Sequence, residues 1–470
     1  MSSSEAALVA VVTLVLAVAL VKSLLVRKKP KFREVPGKLP LIGHAHLVGS
    51  TRKIVDTFDA WAANYGTAEF WLLGNRYVLV AEDDSVKALA KQRPRRVQRH
   101  HNIRDSVDSF FVGIFSAELP HWTVERRLIS PAFSHANIAK FLPTLRDLGR
   151  RLVDFVASEG VLCGDANALA QKFTADVIGL LSFGQDLGNL RGRVNEKGAL
   201  FEQVLTIVGE RAMGARRLWK IPFVGPWLDG SALLTRRVHA AMAPIIQDAK
   251  TSNKGGTVLE KMIATNDEDK LDDARLLGNV IQLYVAGSET TAIVIAWMLY
   301  HLARLPDFQT EARREAKAVV ESTPCETIPD ALASMPLLRS LWQECLRLHN
   351  PASFVMLENN APVEVAGQTV EPFEYGLLVP ARYLAKRFGG PEFDPRRWLH
   401  DRLPAEAIPF GFGVRVCPGK DLAELEACTA VAHLLHAFDV TSSGDQEVSD
   451  VFLFTQKPDR PITLRFTPVV

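Results

Sequence analysis

The ten residues Phe410-Gly-Phe-Gly-Val-Arg-Val-Cys-Pro-Gly419 constrain this chain more than any other stretch. A single cysteine, Cys417, stands between glycines, with Arg415 two residues before it and a helical pattern after it. Gly411 and Gly413 permit a tight turn that a side chain would obstruct. Such a turn can aim backbone N–H groups at a sulfur atom. Pro418 can occupy the first turn of the following helix, where no N–H is needed. The positive end of that helix favours a thiolate. Gly419 would let the helix lie flat against a planar ring system, and Arg415 can reach a carboxylate at the ring's edge. One reading is a buried structural cysteine in a glycine-rich turn. The other is an axial thiolate on a haem iron, tuned by hydrogen bonds to the sulfur.

The rest of the chain bounds these readings. Hydrophobic residues make up 47% of the 470 residues, enough for a sizeable core. With 55 basic and 53 acidic residues the net charge is +2, which argues against a nucleic-acid binder. The five cysteines lie far apart with no Cys-x-x-Cys, so neither a disulfide framework nor a zinc knuckle is suggested. From Ala6 to Val26 nearly every residue is apolar, long enough to cross a bilayer, and Arg27, Lys28, Lys29, Lys31 and Arg33 follow. This predicts a transmembrane anchor over 1–26 with the bulk of the chain in the cytosol; a cleaved signal peptide is the competing reading. Pro30, Pro36 and Pro40 make 27–50 a basic, proline-rich linker, leaving 51–470 as one globular domain.

Helical periodicity is expected over 135–185, 197–213, 231–250, 273–304 and 308–321. Strands are expected at 76–80, in a hairpin around Gly367, and in a pair over 451–463. The run Lys91 to His101 carries Arg93, Arg95, Arg96 and Arg99 and reads as a solvated face, or else as a docking surface for an acidic redox partner.

Three further patterns agree with the thiolate. In Leu283-Tyr-Val-Ala-Gly-Ser-Glu-Thr-Thr-Ala292, Gly287 weakens a helix and so wants a reason. Thr290 can bond back to the carbonyl of Ala286, bending the helix and opening a groove, and Glu289 and Thr290 can relay protons there. Glu344 and Arg347 face each other at i, i+3. Trp122 and Arg126 share a helix face, and both can donate to a carboxylate.

Phe-x-x-Gly-x-Arg-x-Cys-x-Gly at 410–419 resembles the haem-binding signature of the cytochrome P-450 family. Residues 286–291 resemble its Ala/Gly-Gly-x-Asp/Glu-Thr-Thr oxygen-activation motif, and Trp122 to Arg126 its Trp-x-x-x-Arg. Glu344-Cys-Leu-Arg347 and Asp394-Pro-Arg-Arg-Trp398 resemble its Glu-x-x-Arg and Pro-x-Arg-Phe/Trp pair. The resemblance spans roughly residues 30–470. It implies the cytochrome P-450 fold, mainly α with small β-sheets, behind an N-terminal transmembrane helix. It implies haem b, with Cys417 as iron ligand and Trp122, Arg126, Ala286, Gly287, Phe410, Gly411, Arg415 and Gly419 around the cofactor. Glu289 and Thr290 take catalytic roles. Glu344, Arg347 and Arg397 form a buried structural charge network. Phe110, Phe111, Phe115, Ser353, Phe354 and Phe452 line the substrate pocket by family position. One departure stands out: after Pro351 the family commonly places an Arg or His on a propionate, and residues 354–360 contain neither, with Glu358 in the vicinity.

The implied activity is a monooxygenase that inserts one atom of O2 into a lipophilic substrate, such as a fatty acid, sterol or terpenoid, by hydroxylation or epoxidation. The chain carries no flavin, nicotinamide or iron–sulfur signature, so electrons would come from a separate protein, NADPH-cytochrome reductase or an equivalent, at the endoplasmic reticulum membrane. The alternatives are a haem-thiolate isomerase or dehydratase acting on a peroxide, and a non-enzymatic haem-binding sensor.

Overall fold

The computed structural model describes residues 29–469 apart from 193–195, 214–217, 222–223, 253–256, 265–269, 323–324 and 445–446. The anchor expected over 1–26 lies outside the described residues. Among those described, twelve helices have eight residues or more. They are α1 (Ile54–Tyr65), α2 (Asp83–Gln92), α3 (His101–Asp108), α4 (His121–Ile129), α5 (His135–Glu159) and α6 (Ala166–Phe183), then α7 (Glu196–Ala212), α8 (Ser231–Ser252), α9 (Asp273–Leu302), α10 (Pro306–Glu321), α11 (Pro336–Leu348) and α12 (Lys420–Ala437).

The strands are short. A six-stranded mixed sheet takes β1 (Arg33–Glu34), β2 (Ala68–Leu72), β3 (Asn75–Leu79), β4 (Val97–Arg99), β6 (Val355–Asn359) and β9 (Gly376–Val379) in the order β1-β2-β3-β9-β6-β4. A second sheet joins β5 (Leu162–Cys163), β10 (Phe438–Ser442) and β13 (Leu464–Pro468). Two hairpins, β7 (Val363–Val365) with β8 (Gln368–Val370) and β11 (Asp450–Leu453) with β12 (Thr455–Pro458), complete the β portion. The fold is mainly helical with small sheets, as the sequence suggests. The 135–185 stretch breaks at Gly160 into α5 and α6. The stretch read as a linker already belongs to the fold: Phe32 and Val35 are buried, and β1 pairs in parallel with β2.

α9 organises the interior. Asp272 caps it by accepting from the Arg275 N–H. Every residue from Thr291 to Leu299 is buried, the mark of a core helix rather than a surface one. It is long and apolar enough to cross a membrane, but 72% of that window is buried inside the protein. α9 packs against α6, and α12 packs against α5, α9, α10 and α11.

Candidate functional site

The cysteine loop leads from a 3-10 turn at Gly413–Arg415 into α12. Its backbone closes on itself, the Cys417 N–H donating to Phe410 O at 3.0 Å. Gly411 and Gly413 have φ of +75° and +64°, the conformation in which a side chain is strained. Pro418 precedes the helix instead of lying in its first turn, since Gly419 is the N-cap. Cys417 itself is half-buried. Burial pushes its thiol up, while the Gly419 N–H and the Arg126 guanidinium favour the thiolate.

Above the loop, α4 supplies Trp122 and Arg126, one turn apart. The Arg415 guanidinium sits 4.4 Å from the Trp122 ring centroid and pairs with Glu118. The other Glu118 oxygen accepts from the Arg99 N–H at 2.8 Å. Burial pulls Arg415 down to about 10 against the pull of Glu118, and its Nε has no hydrogen-bond partner. Arg93 and Arg99, read from sequence as part of a solvated face, turn inward to the same cluster, whereas Arg95 and Arg96 are exposed.

α9 supplies a second set of residues. Gln282, Ala286 and Thr290 recur every four residues and share one face. Ala286 is exposed and Thr290 half-buried, although the helix around them is core. Thr290 Oγ1 donates to Ala286 O at 2.7 Å, the back-bond expected. Ser288 Oγ donates to Tyr284 O, and Thr174 Oγ1 to Ser288 O, so three hydroxyls load the carbonyls of one stretch. Gly287 has a packing reason: a Cβ there would lie 2.7 Å from Ile178 Cδ1 on α6. Glu289 accepts from Gln171 Nε2 at 2.6 Å and turns to α6 and β12 rather than joining Thr290. Burial pushes its carboxyl up, with Lys457 pulling the other way.

The loop of 110–117 is tied to α9. Asn279 Oδ1 and Gln282 Oε1 accept from the N–H groups of Ile114 and Phe115 at 2.9 and 2.7 Å. Gln282 Nε2 returns to Phe111 O. Phe115, Phe354, Phe452 and Phe454 gather in one aromatic wall, with Phe354 and Phe452 at 5.1 Å and Phe115 and Phe454 at 5.9 Å between centroids. Phe110 and Phe111, expected in the pocket, are buried in the helical core. The Ser353 hydroxyl is turned to Asn350 O and Gln456.

Behind the loop, Arg347 grips Glu344 with two hydrogen bonds of 2.7 and 2.8 Å, both side chains fully buried. Asp394 N–H and Trp398 Nε1 also donate to Glu344. Arg397, expected as the third member, stands 3.7 Å away, and its Nε has no hydrogen-bond partner. That distance is still an ion pair, so Arg397 joins the network by charge, and the Trp398 indole, turned inward by the 3-10 turn at Pro395–Trp398, adds a hydrogen bond to it.

The family model for cytochrome P450 matches residues 34–464. The chain belongs to the cytochrome P450 family. P450s carry haem b, and the donor set fits it: a cysteine with a guanidinium and an N–H that oppose the upward push of burial on its thiol, and a nearby buried Arg415 Nε without a hydrogen-bond partner. The chain is 24% identical to the mitochondrial sterol 26-hydroxylase of Homo sapiens, over 94% of this chain and 90% of that one. It is 27% identical to the mitochondrial cholesterol side-chain cleavage enzyme of Oncorhynchus mykiss, over 74% and 70%. It is 26% identical to cytochrome P450 714D1 of Oryza sativa subsp. japonica, over 88% and 78%. This P450 is an oxygen-incorporating oxidoreductase, a monooxygenase that needs an electron donor, O2 and a lipophilic substrate. The mitochondrial relatives overturn the endoplasmic-reticulum, cytosol-facing placement read from the N-terminal segment.

Proposed function

We propose that this P450 hydroxylates a lipophilic small molecule of sterol-like bulk, with electrons from a separate donor protein in the mitochondrion. The observation that carries the reading is the self-closed Cys417 loop beside Arg126, together with the exposed Ala286 and half-buried Thr290 on one face of an otherwise buried α9. The haem supplies oxygen activation and electron transfer, and a thiolate ligand favours O–O cleavage. Cys417 is the ligand, Trp122, Arg126 and Arg415 hold the cofactor's edge, and Arg126 also favours the thiolate. Phe410, Gly411 and Gly419 keep the loop and the start of α12 close to the ring. Thr290 is the proton-relay hydroxyl facing the site, while Glu289 stores a proton one residue away, its carboxyl raised by burial. The aromatic wall of Phe115, Phe354 and Phe452 excludes water and seats an apolar substrate. The sterol names of two relatives make sterols the first substrates to try.

The test joins spectroscopy to turnover. Reduced holoprotein with CO should give the red-shifted band of thiolate ligation, and Cys417→Ser should abolish it. Sterols should displace the spectrum of the resting protein and yield a product carrying one atom of labelled O2. Retention of the band by the serine variant, or a product lacking the label, would overturn the reading.

A further inference from the structure

Away from the cysteine loop, the pairing of β4 with β6 gathers a second group of chemistry-bearing side chains. Gln98 lies directly opposite Glu358, and the His100 N–H donates to Met356 O at 3.1 Å. His100, His101 and Glu358 are thereby held together at the start of α3. One nitrogen from each ring and one carboxylate oxygen all lie within 4.8 Å of one another, the one such trio of metal-ligating groups among the described residues. His100 and Glu358 are buried and His101 is exposed, so the trio has a side open to solvent.

The carboxylate is already oriented. Gln98 Nε2 donates to Glu358 Oε1 at 2.7 Å, and Arg104 Nη2 makes a longer bond to the same atom at 3.4 Å. Oε2 is left to the His101 N–H at 3.0 Å and to His101 Nδ1 at 2.7 Å. Outer partners of this kind fix the carboxylates that ligate metals. Burial pulls His100 down to about 4, so its ring is neutral near pH 7, as a ligand must be. A Cβ at position 376 would stand 3.0 Å from His100 Nε2, so Gly376 leaves that nitrogen uncovered. A cavity of about 450 Å3 adjoins the trio, with Trp71, Tyr375 and Gly376 also in its wall. It has room for the water that completes a metal's shell.

We infer that His100, His101 and Glu358 bind a divalent transition-metal ion, Zn2+ first among them. Two imidazoles and a carboxylate are zinc ligands, and a fourth position goes to water. Ca2+ and Mg2+ take oxygen ligands instead. Two local changes accompany binding. The His100 and His101 rings are stacked with centroids 4.3 Å apart, so their in-plane lone pairs do not converge on one ion, and the exposed His101 turns to meet it. Neutral imidazole has one lone pair and one N–H. His100 Nδ1 spends its lone pair on the Asn102 N–H at 3.1 Å. With the metal on either nitrogen, Nδ1 holds the metal or the proton, and the N-cap of α3 opens.

Titration of the holoprotein with zinc against a chromophoric chelator tests the site. The parent should take up one ion, and His101→Ala and Glu358→Gln should each weaken its binding about a hundredfold or more, since loss of an outer partner alone costs about 10–100-fold. Gln98→Ala should fall in that smaller range. His135→Ala, at a separate exposed pair with Asp421, should change nothing. Cobalt locates the ion: His101→Cys should add a sulfur-to-cobalt charge-transfer band that the parent lacks. Zinc should also speed hydrogen exchange at the Asn102 amide of the parent and leave it unchanged in His101→Ala. Parental zinc affinity in both ligand variants, absence of the sulfur band, or unaltered Asn102 exchange in the zinc-loaded parent would each overturn the site. All three readouts are independent of turnover.

Discussion

Gly287 and Thr290, three positions apart on α9, carry predictions of opposite kinds. Thr290 presents a hydroxyl that already holds Ala286 O, so removing it leaves the neighbouring packing intact. Thr290→Ala should keep the melting temperature within the range of a surface change, about 0.5 kcal/mol, and lower the product formed per electron consumed. Unchanged coupling would remove Thr290 from the proton route. Gly287 is the converse. A methyl group there meets Ile178 at 2.7 Å, and overpacking of about 1–3 kcal/mol outweighs the helix-propensity gain of about 1 kcal/mol. Gly287→Ala should lower stability and leave coupling alone, and in an Ile178→Ala background, which lacks both Cδ1 at 2.7 Å and Cγ1 at 2.8 Å, the same substitution should cost less. Calorimetry of the single and double variants decides this.

At the scale of elements, the decisive link is between α9 and the loop of 110–117. Asn279 and Gln282 are polar side chains in a core helix, and both are consumed by loop backbone. The wall carrying Phe115 is thereby fixed to the helix that carries Ala286 and Thr290. Gln282→Leu would strand the Phe115 N–H, a penalty of about 1–3 kcal/mol. Hydrogen exchange at Phe115 should accelerate, and a sterol should titrate the spectral shift at about tenfold higher concentration. Parental exchange at that amide would show that the loop holds itself. The motifs of this site were legible because each is local: the cysteine turn, the Glu344–Arg347 pair at i, i+3 and the Thr290 back-bond need only their own segment. Arg93 and Arg99 were not, because a basic run looks solvated until β4 pairs with β6 and turns two of its members inward. The Trp398 bond to Glu344 was hidden for a similar reason: adjacent residues in a tight turn point different ways, and only the turn shows that the indole joins Arg397 at that carboxylate.

For the whole molecule, two buried carboxyls set opposite pH responses. Burial acts upward on Glu344, but its bonds with Arg347, Asp394 and Trp398 hold it below the ordinary value of 4.5. Its stabilisation is present above the unfolded value and is lost as pH falls through the depressed one. Glu426 of α12 is the reverse. Burial raises it well above 4.5 while a Thr291 hydrogen bond pulls down, and its Oε1 has no partner. The folded chain keeps a proton that the unfolded chain releases, so this contribution is full below about pH 4.3 and declines as pH rises through the raised value. Glu426→Gln should flatten the decline in stability as pH rises above the ordinary carboxylate range, measured by thermal melts from acid to neutral pH. An undiminished slope would place the linkage elsewhere. The helical core was legible as periodicity, and α9 most of all. Of the short strands, β3, the β7–β8 hairpin and the β11–β12 pair were legible, whereas the remaining strands were not, because so few positions show no alternation and their pairing joins segments far apart in the chain.

The pairing of β4 with β6 sets side by side two segments separated by about 260 residues. Compared column by column with its relatives, this chain would be scored as missing a cofactor contact after Pro351. Compared in space, Arg99 stands on the next rung of the ladder beside Leu357, so a census of cations around 354–360 drawn from aligned positions alone would miss one.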